Sequence, residues 1–69
     1  LPFYGKVNIS YMPEKIKIFT TNNAGTMENL VNIFIRDLYE QNYKVLDIKF
    51  NSVYTGDNIM YYNTLIRYI

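Results

Sequence analysis

The chain has 69 residues, enough for one domain and too few for a large core, since a domain of this size buries only about 60% of the surface its unfolded chain exposes. Cys and His are both absent, which excludes disulfide support, thiolate chemistry and the usual zinc sites. Seven basic and six acidic side chains give a net charge of +1, too balanced for a protein that lives on nonspecific phosphate contacts.

Residues 1–5 read as a loose lead-in. Over 6–11 the chain alternates, with Val7, Ile9 and Tyr11 on one side and Lys6, Asn8 and Ser10 on the other, the pattern of a half-buried strand. Pro13 has no donor for a ladder, so Met12-Pro13 reads as a turn or break. Met12 also suits a natural start, which would make 1–11 an extension. The clearest strand follows at 15–20. Ile16 and Ile18 share one face, expected to be the core side, and Lys15, Lys17 and Phe19 share the other.

A polar loop leads into the segment around which the rest is organised. From 26 to 41 the residues Met27, Leu30, Val31, Phe34, Ile35 and Leu38 fall on one side of a helical wheel, while Ile33 stands off that stripe. Thr26 is the expected N-cap and Glu28 is expected in the first turn, where a carboxylate suits the helix dipole. Asn42 tolerates the left-handed conformation with which helices often end. A second long strand is expected over 44–54, with Leu46, Ile48 and Phe50 against Val45, Asp47, Lys49 and Asn51. Val53 and Tyr54 blur that alternation, which suggests a bulge near Ser52. The turn 55–58 then leads to a last strand over 59–68. Met60, Tyr62, Ile66 and Tyr68 lie on one side of it, Tyr61, Asn63, Leu65 and Arg67 on the other.

The order strand, strand, helix, strand, strand implies an α+β fold: a small mixed β-sheet, (β)βαββ, with one helix on one face. The strands flanking the helix should run parallel through a crossover, and the last two should form a hairpin. The other sheet face has no helix to cover it. It is expected to carry Lys15, Lys17, Phe19, Asp47, Lys49 and part of the last strand, and to be the place for a partner.

Catalysis finds little support. Without His or Cys a base would have to be Asp, Glu, Lys or Tyr. Asp37 and Glu40 are neighbours on the helix but read as a solvated face, and no GxSxG, GKS/T or HExxH pattern is present. No cofactor or metal is expected. The loop carries one candidate ligand site, Thr21, Asn22, Asn23, Gly25 and Thr26. Its hydroxyls, amides and the helix N-terminus could hold a small anionic or nucleotide ligand; the plainer reading is a capped connection. Tyr54, Tyr61, Tyr62 and Tyr68 near Lys15, Lys17, Lys49 and Arg67 could stack bases. The balanced charge argues instead for packing, and against a nucleic-acid partner.

At 49% hydrophobic, with eight Tyr and four Phe, the chain is rich for its size. We therefore expect a homo-oligomer rather than a monomer with half-exposed rings, and take Phe19, Ile33, Tyr61, Tyr62 and Tyr68 as candidate interface residues. No apolar run is long enough to span a membrane and no leader is recognisable, so a cytoplasmic protein without membrane contact is the simplest expectation.

Three blocks carry a family resemblance: Lys15-Ile16-Lys17-Ile18-Phe19; Glu28-Asn29-Leu30-Val31-Asn32-Ile33-Phe34-Ile35; and Lys44-Val45-Leu46-Asp47-Ile48-Lys49-Phe50, followed by Tyr61 and Leu65-Ile66-Arg67-Tyr68. On these, residues 12–69 resemble the small sporulation-associated Cse-type proteins of Gram-positive bacteria, which also occur on phages and mobile elements. The Asn-rich loop departs from that family's more acidic one. The resemblance implies a strand-helix-strand-strand unit of bacterial or phage source, with no defined activity and no functional residues to carry over. Two readings follow: a non-enzymatic interaction protein that self-associates through its sheet, or a phage or mobile-element counter-defence protein that sequesters a nucleotide-like signal between subunits.

Overall fold

The structure is a computed structural model that describes residues 14–69; the strand expected over 6–11 and the break at Met12-Pro13 lie outside them. The described chain runs β1 (Lys15–Thr21), α1 (Ala24–Glu40), β2 (Val45–Tyr54) and β3 (Met60–Tyr68). It is a small α+β unit. The hairpin strand β3 inserts between the two strands that flank the helix, giving the order β1-β3-β2. β1 and β2 therefore run parallel to each other, as expected, yet each is bonded only to β3 and both ladders are antiparallel. The choice of central strand follows from composition. β3 is the most continuously apolar segment, and a strand with neighbours on both sides is the one that can bury it.

The helix forms where the 3.6-residue stripe predicted, but it begins two residues earlier. Asn23, not Thr26, is the N-cap: its backbone is extended and its side-chain oxygen accepts the Thr26 N–H at 2.8 Å. Asn and Thr both make good caps, and Asn22, Asn23 and Thr26, three within five residues, leave the start ambiguous in the sequence. The earlier start moves Glu28 out of the first turn, which holds no acidic residue. Gly25 allows the cap to close, since a Cβ there would stand 3.3 Å from the Asn23 oxygen. At the other end Asn42 takes φ 65°, Tyr43 N–H bonds Leu38 C=O at 2.9 Å, and Asn42 N–H bonds Tyr39 C=O at 3.1 Å. That is a Schellman closure, with Asn in the left-handed position.

Helix α1 lies over β1 and β3 and leaves β2 to one side. Its contact with the sheet buries Met27 and Leu38 against Ile66, which is 0% exposed, and against Thr64. The Thr64 hydroxyl lies 3.1 Å from the Met27 sulfur. Beside this core runs a chain of edge-to-face rings, Phe19 to Phe34 to Tyr68 to Tyr43, with centroids 5.5–5.6 Å apart, the separation at which such pairs attract.

That ring chain corrects the expected facing of β1. Lys15, Lys17 and Phe19 stand opposite Tyr68, Ile66 and Thr64, the helix side of β3, so they lie on the covered face. Ile16 and Ile18 point the other way and are 58% and 61% exposed. The lysines tolerate the covered side because β1 is an outer strand. Their stems run along aromatic rings while the ammonium groups reach the rim. Lys15 Nζ lies 5.4 Å from the Tyr43 ring centre, and Lys17 Nζ 5.2 Å from Phe19 and 6.0 Å from Phe34.

The bulge is also elsewhere. The β2–β3 register shifts between Val45 and Asp47, at Leu46, and runs regularly through Ser52. Val53 and Tyr54 looked out of phase because both are apolar, but they simply alternate, opposite Tyr61 and Met60, where the hairpin extends past the end of β1. The hairpin closes at the expected turn. Thr55 N–H bonds Ile59 C=O at 2.9 Å, the Tyr54 hydroxyl donates to Asn58 at 2.7 Å, and Asn58 takes φ 66°.

Candidate functional site

Strand alternation sorts the described residues into two surfaces, and each leaves apolar groups in water. On the face away from the helix the register sets out rows across the three strands. Ile16, Arg67 and Asp47 form one row; Ile18, Leu65 and Lys49 the next; Thr20, Asn63 and Asn51 the third; Tyr61 and Val53 the last. Asp47 and Lys49 are therefore on the uncovered face, as expected, but with Ile16 and Ile18 in place of Lys15, Lys17 and Phe19. The third row is a hydrogen-bonded ladder: Thr20 hydroxyl to Asn63 Oδ1 at 2.8 Å, and Asn63 Nδ2 to Asn51 Oδ1 at 3.0 Å. It satisfies its own polar groups across all three strands and leaves few of them directed outward. Above it Ile18, Leu65 and the Lys49 stem border a shallow recess of about 300 Å³.

The second exposed region lies on the helix side. Because α1 sits mainly over β1 and β3, Ile48 and Phe50 on the helix side of β2 are only partly covered among the described residues. Ile48 is 45% exposed and Phe50 60% exposed, with Phe50 stacked on Tyr62 at 6.1 Å. Ala24, Met27 and Val31 of the helix form the opposite wall, leaving an open groove of about 240 Å³ with almost wholly apolar walls. Exposed apolar residues scattered singly need no explanation, but a contiguous strip along an outer strand is unusual.

The candidate interface residues do not form one patch. Phe19 and Tyr68 belong to the ring chain beside the helix, Tyr62 lies under Phe50, Tyr61 is on the uncovered face near the hairpin tip, and Ile33 is 48% exposed on the helix. Sequence reasoning ranked neither Ile48 nor Phe50 as an interface residue, because it assigned their face to a helix that turns out to sit to one side. The sequence carries no clear signal for them, since the apolar stripe gives the inward face of the helix and not its place across the sheet.

The loop candidates do come together, mainly to satisfy one another. Asn23 N–H donates to the Thr21 hydroxyl at 3.3 Å, Asn23 Oδ1 takes the Thr26 N–H, and Met27 N–H bonds Asn23 C=O at 3.0 Å. Three of the amides at the helix start are thus used by the chain itself, and Asn22 and Gly25 add no convergent charge. Among the described residues no group of His, Cys, Asp and Glu is placed to hold a metal ion, and no helix is long and apolar enough to cross a membrane. Among the same residues the ion pairs are Arg67 with Glu14 at 2.6 Å and Arg36 with Asp37 at 4.0 Å. No family model, curated protein or solved structure matches the chain.

Proposed function

We propose that the chain is a small non-enzymatic interaction protein that self-associates through its β-sheet. One observation carries the reading: among the described residues β2 is an outer strand whose helix-side residues Ile48 and Phe50 stay about half exposed beside a helix that sits mainly over β1 and β3. A domain this small has little apolar surface to spare, and burying that strip against another protein chain recovers it. The bacterial or phage source and a cytoplasmic location belong to the same reading; the first rests on the resemblance of residues 12–69 to the sporulation-associated family.

The counter-defence reading is the weaker one, because two of the loop's N–H groups, those of Asn23 and Thr26, already bond Thr21 and Asn23 side chains, and no cationic side chain joins the loop candidates. A single experiment separates the two. Native mass spectra are recorded with and without a panel of mono-, di- and cyclic nucleotides. Oligomers formed without any nucleotide support self-association. A nucleotide retained by the wild type and lost from an Asn23→Ala, Thr26→Ala variant overturns it in favour of ligand capture between subunits.

A further inference from the structure

Three features of β2 point to a specific arrangement. Among the described residues it is an outer strand, so one row of its backbone donors and acceptors faces away from β3, open to another strand. Its helix-side residues are only partly covered. Finally, Asp47 and Lys49, two apart and hence on the same face, make no ion pair among the described residues; Arg67, which stands opposite Asp47, is held by Glu14 at 2.6 Å. The other outer strand lacks this last feature, since its only charged side chains, Lys15 and Lys17, are both cations and cannot complement a copy of themselves.

A strand that pairs with its own copy about a two-fold axis has few registers available, because facing residues must lie on the same side of the sheet. Centring the axis on Asp47 sets two carboxylates against each other, and centring it on Lys49 sets two ammonium groups together. Centring it on Phe50 leaves Asp47 facing Val53 and Lys49 facing Asn51. Only an axis through Ile48 places Asp47 of each copy opposite Lys49 of the other. The same register puts Ile48 against Ile48 and Phe50 across from the Leu46 bulge, on the side where β2 is only partly covered.

We propose that two copies join β2 to β2, antiparallel, with Ile48 on the two-fold axis. The described strands of the two copies then form one six-stranded sheet, with two Asp47–Lys49 pairs on one face and a shared Ile48–Phe50 strip on the other. It rests on the self-association reading and adds to it the strand, the register and the charges that select it.

Two charge variants test the register. Asp47→Lys makes the edge wholly cationic and Lys49→Asp makes it wholly anionic. Each alone should dimerise with a dissociation constant raised roughly tenfold or more, since each replaces two cross-strand attractions by two repulsions. Mixed in equal amounts, the two chains should form a heterodimer at close to the wild-type affinity, which also shows that both variants are folded. As a second measure, Ile48→Cys should cross-link to itself on mild oxidation, because the Cα separation of facing antiparallel residues, about 4.5–5.5 Å, suits a disulfide. The chain has no other Cys to compete. Ile18→Cys on β1 should not cross-link. Single variants that dimerise like the wild type, a mixture that gains nothing, or an Ile48→Cys chain that stays monomeric each overturn the register while leaving self-association standing. A wild type that stays monomeric at every concentration overturns both.

Discussion

Replacing Phe50 by Lys gives the sharpest separation between what the isolated fold needs and what the assembly needs. In one copy the ring has lost part of its exposure to Tyr62, its stacking partner at 6.1 Å, and keeps 60% of it. A buried Phe removes about 200 Å² from water, so about 120 Å² remains for a partner to cover. At about 25 cal/mol per Å² that is about 3 kcal/mol per copy if coverage is complete, and about 1.5 kcal/mol if it is half. With two copies contributing, Phe50→Lys should weaken a dimer by about 3–6 kcal/mol, a rise in dissociation constant of about 100-fold to 10,000-fold. The cost to one folded copy is confined to the Tyr62 contact, about 0.5–1.5 kcal/mol plus its share of burial. Analytical ultracentrifugation reads the first quantity and urea unfolding under monomeric conditions the second. If Phe50→Lys associates as the wild type does, β2 is not where copies meet. If it abolishes cooperative unfolding of the monomer, Phe50 belongs to the core and its exposure has been misread.

Other perturbations test the remaining parts of the argument. Ile66→Ala removes the one fully buried large side chain of the central strand and should cost about 2–5 kcal/mol in urea unfolding, enough to unfold most of the protein at room temperature. Asn23→Ala should lower stability by about 1 kcal/mol through loss of the cap, whereas Thr26→Ala, whose contribution to the cap is its backbone N–H, should change thermal unfolding little. A larger loss for Thr26→Ala than for Asn23→Ala would return the cap to Thr26. Thr64→Val should be neutral or stabilising, since the buried hydroxyl has only the Met27 sulfur as partner, a weak acceptor; a loss above about 1 kcal/mol would show that this contact holds the helix in place.

Several parts of this fold were open to reading from the chain alone. The helix announced itself through Met27, Val31, Phe34 and Leu38, and the two sides of β3 followed from strict alternation over 60–68. Asn42 at the helix end and the turn at 55–58 were legible because their conformations restrict residue type. What misled was the treatment of charge as a marker of the solvent face. Lys15 and Lys17 look outward by composition, yet long stems let them line the covered side of an outer strand beside Phe19, Phe34 and Tyr43. Two Ile residues, the most apolar in β1, consequently face water. The bulge was misplaced for a related reason: apolar residues at the hairpin tip were read as a break in phase, when the hairpin simply outruns β1. The candidate surface stayed hidden because it depends on where the helix sits across the sheet, and a periodic stripe gives the inward face of a helix but not its lateral position.

The most direct test is amide hydrogen exchange of β2 at high and low protein concentration. Self-association through this strand predicts that the amides of Val45–Tyr54 pointing away from β3 become protected as concentration rises, while those of α1 and β1 do not change. Protection of β2 that is the same at every concentration, or that grows instead on the helix or on β1, would contradict it.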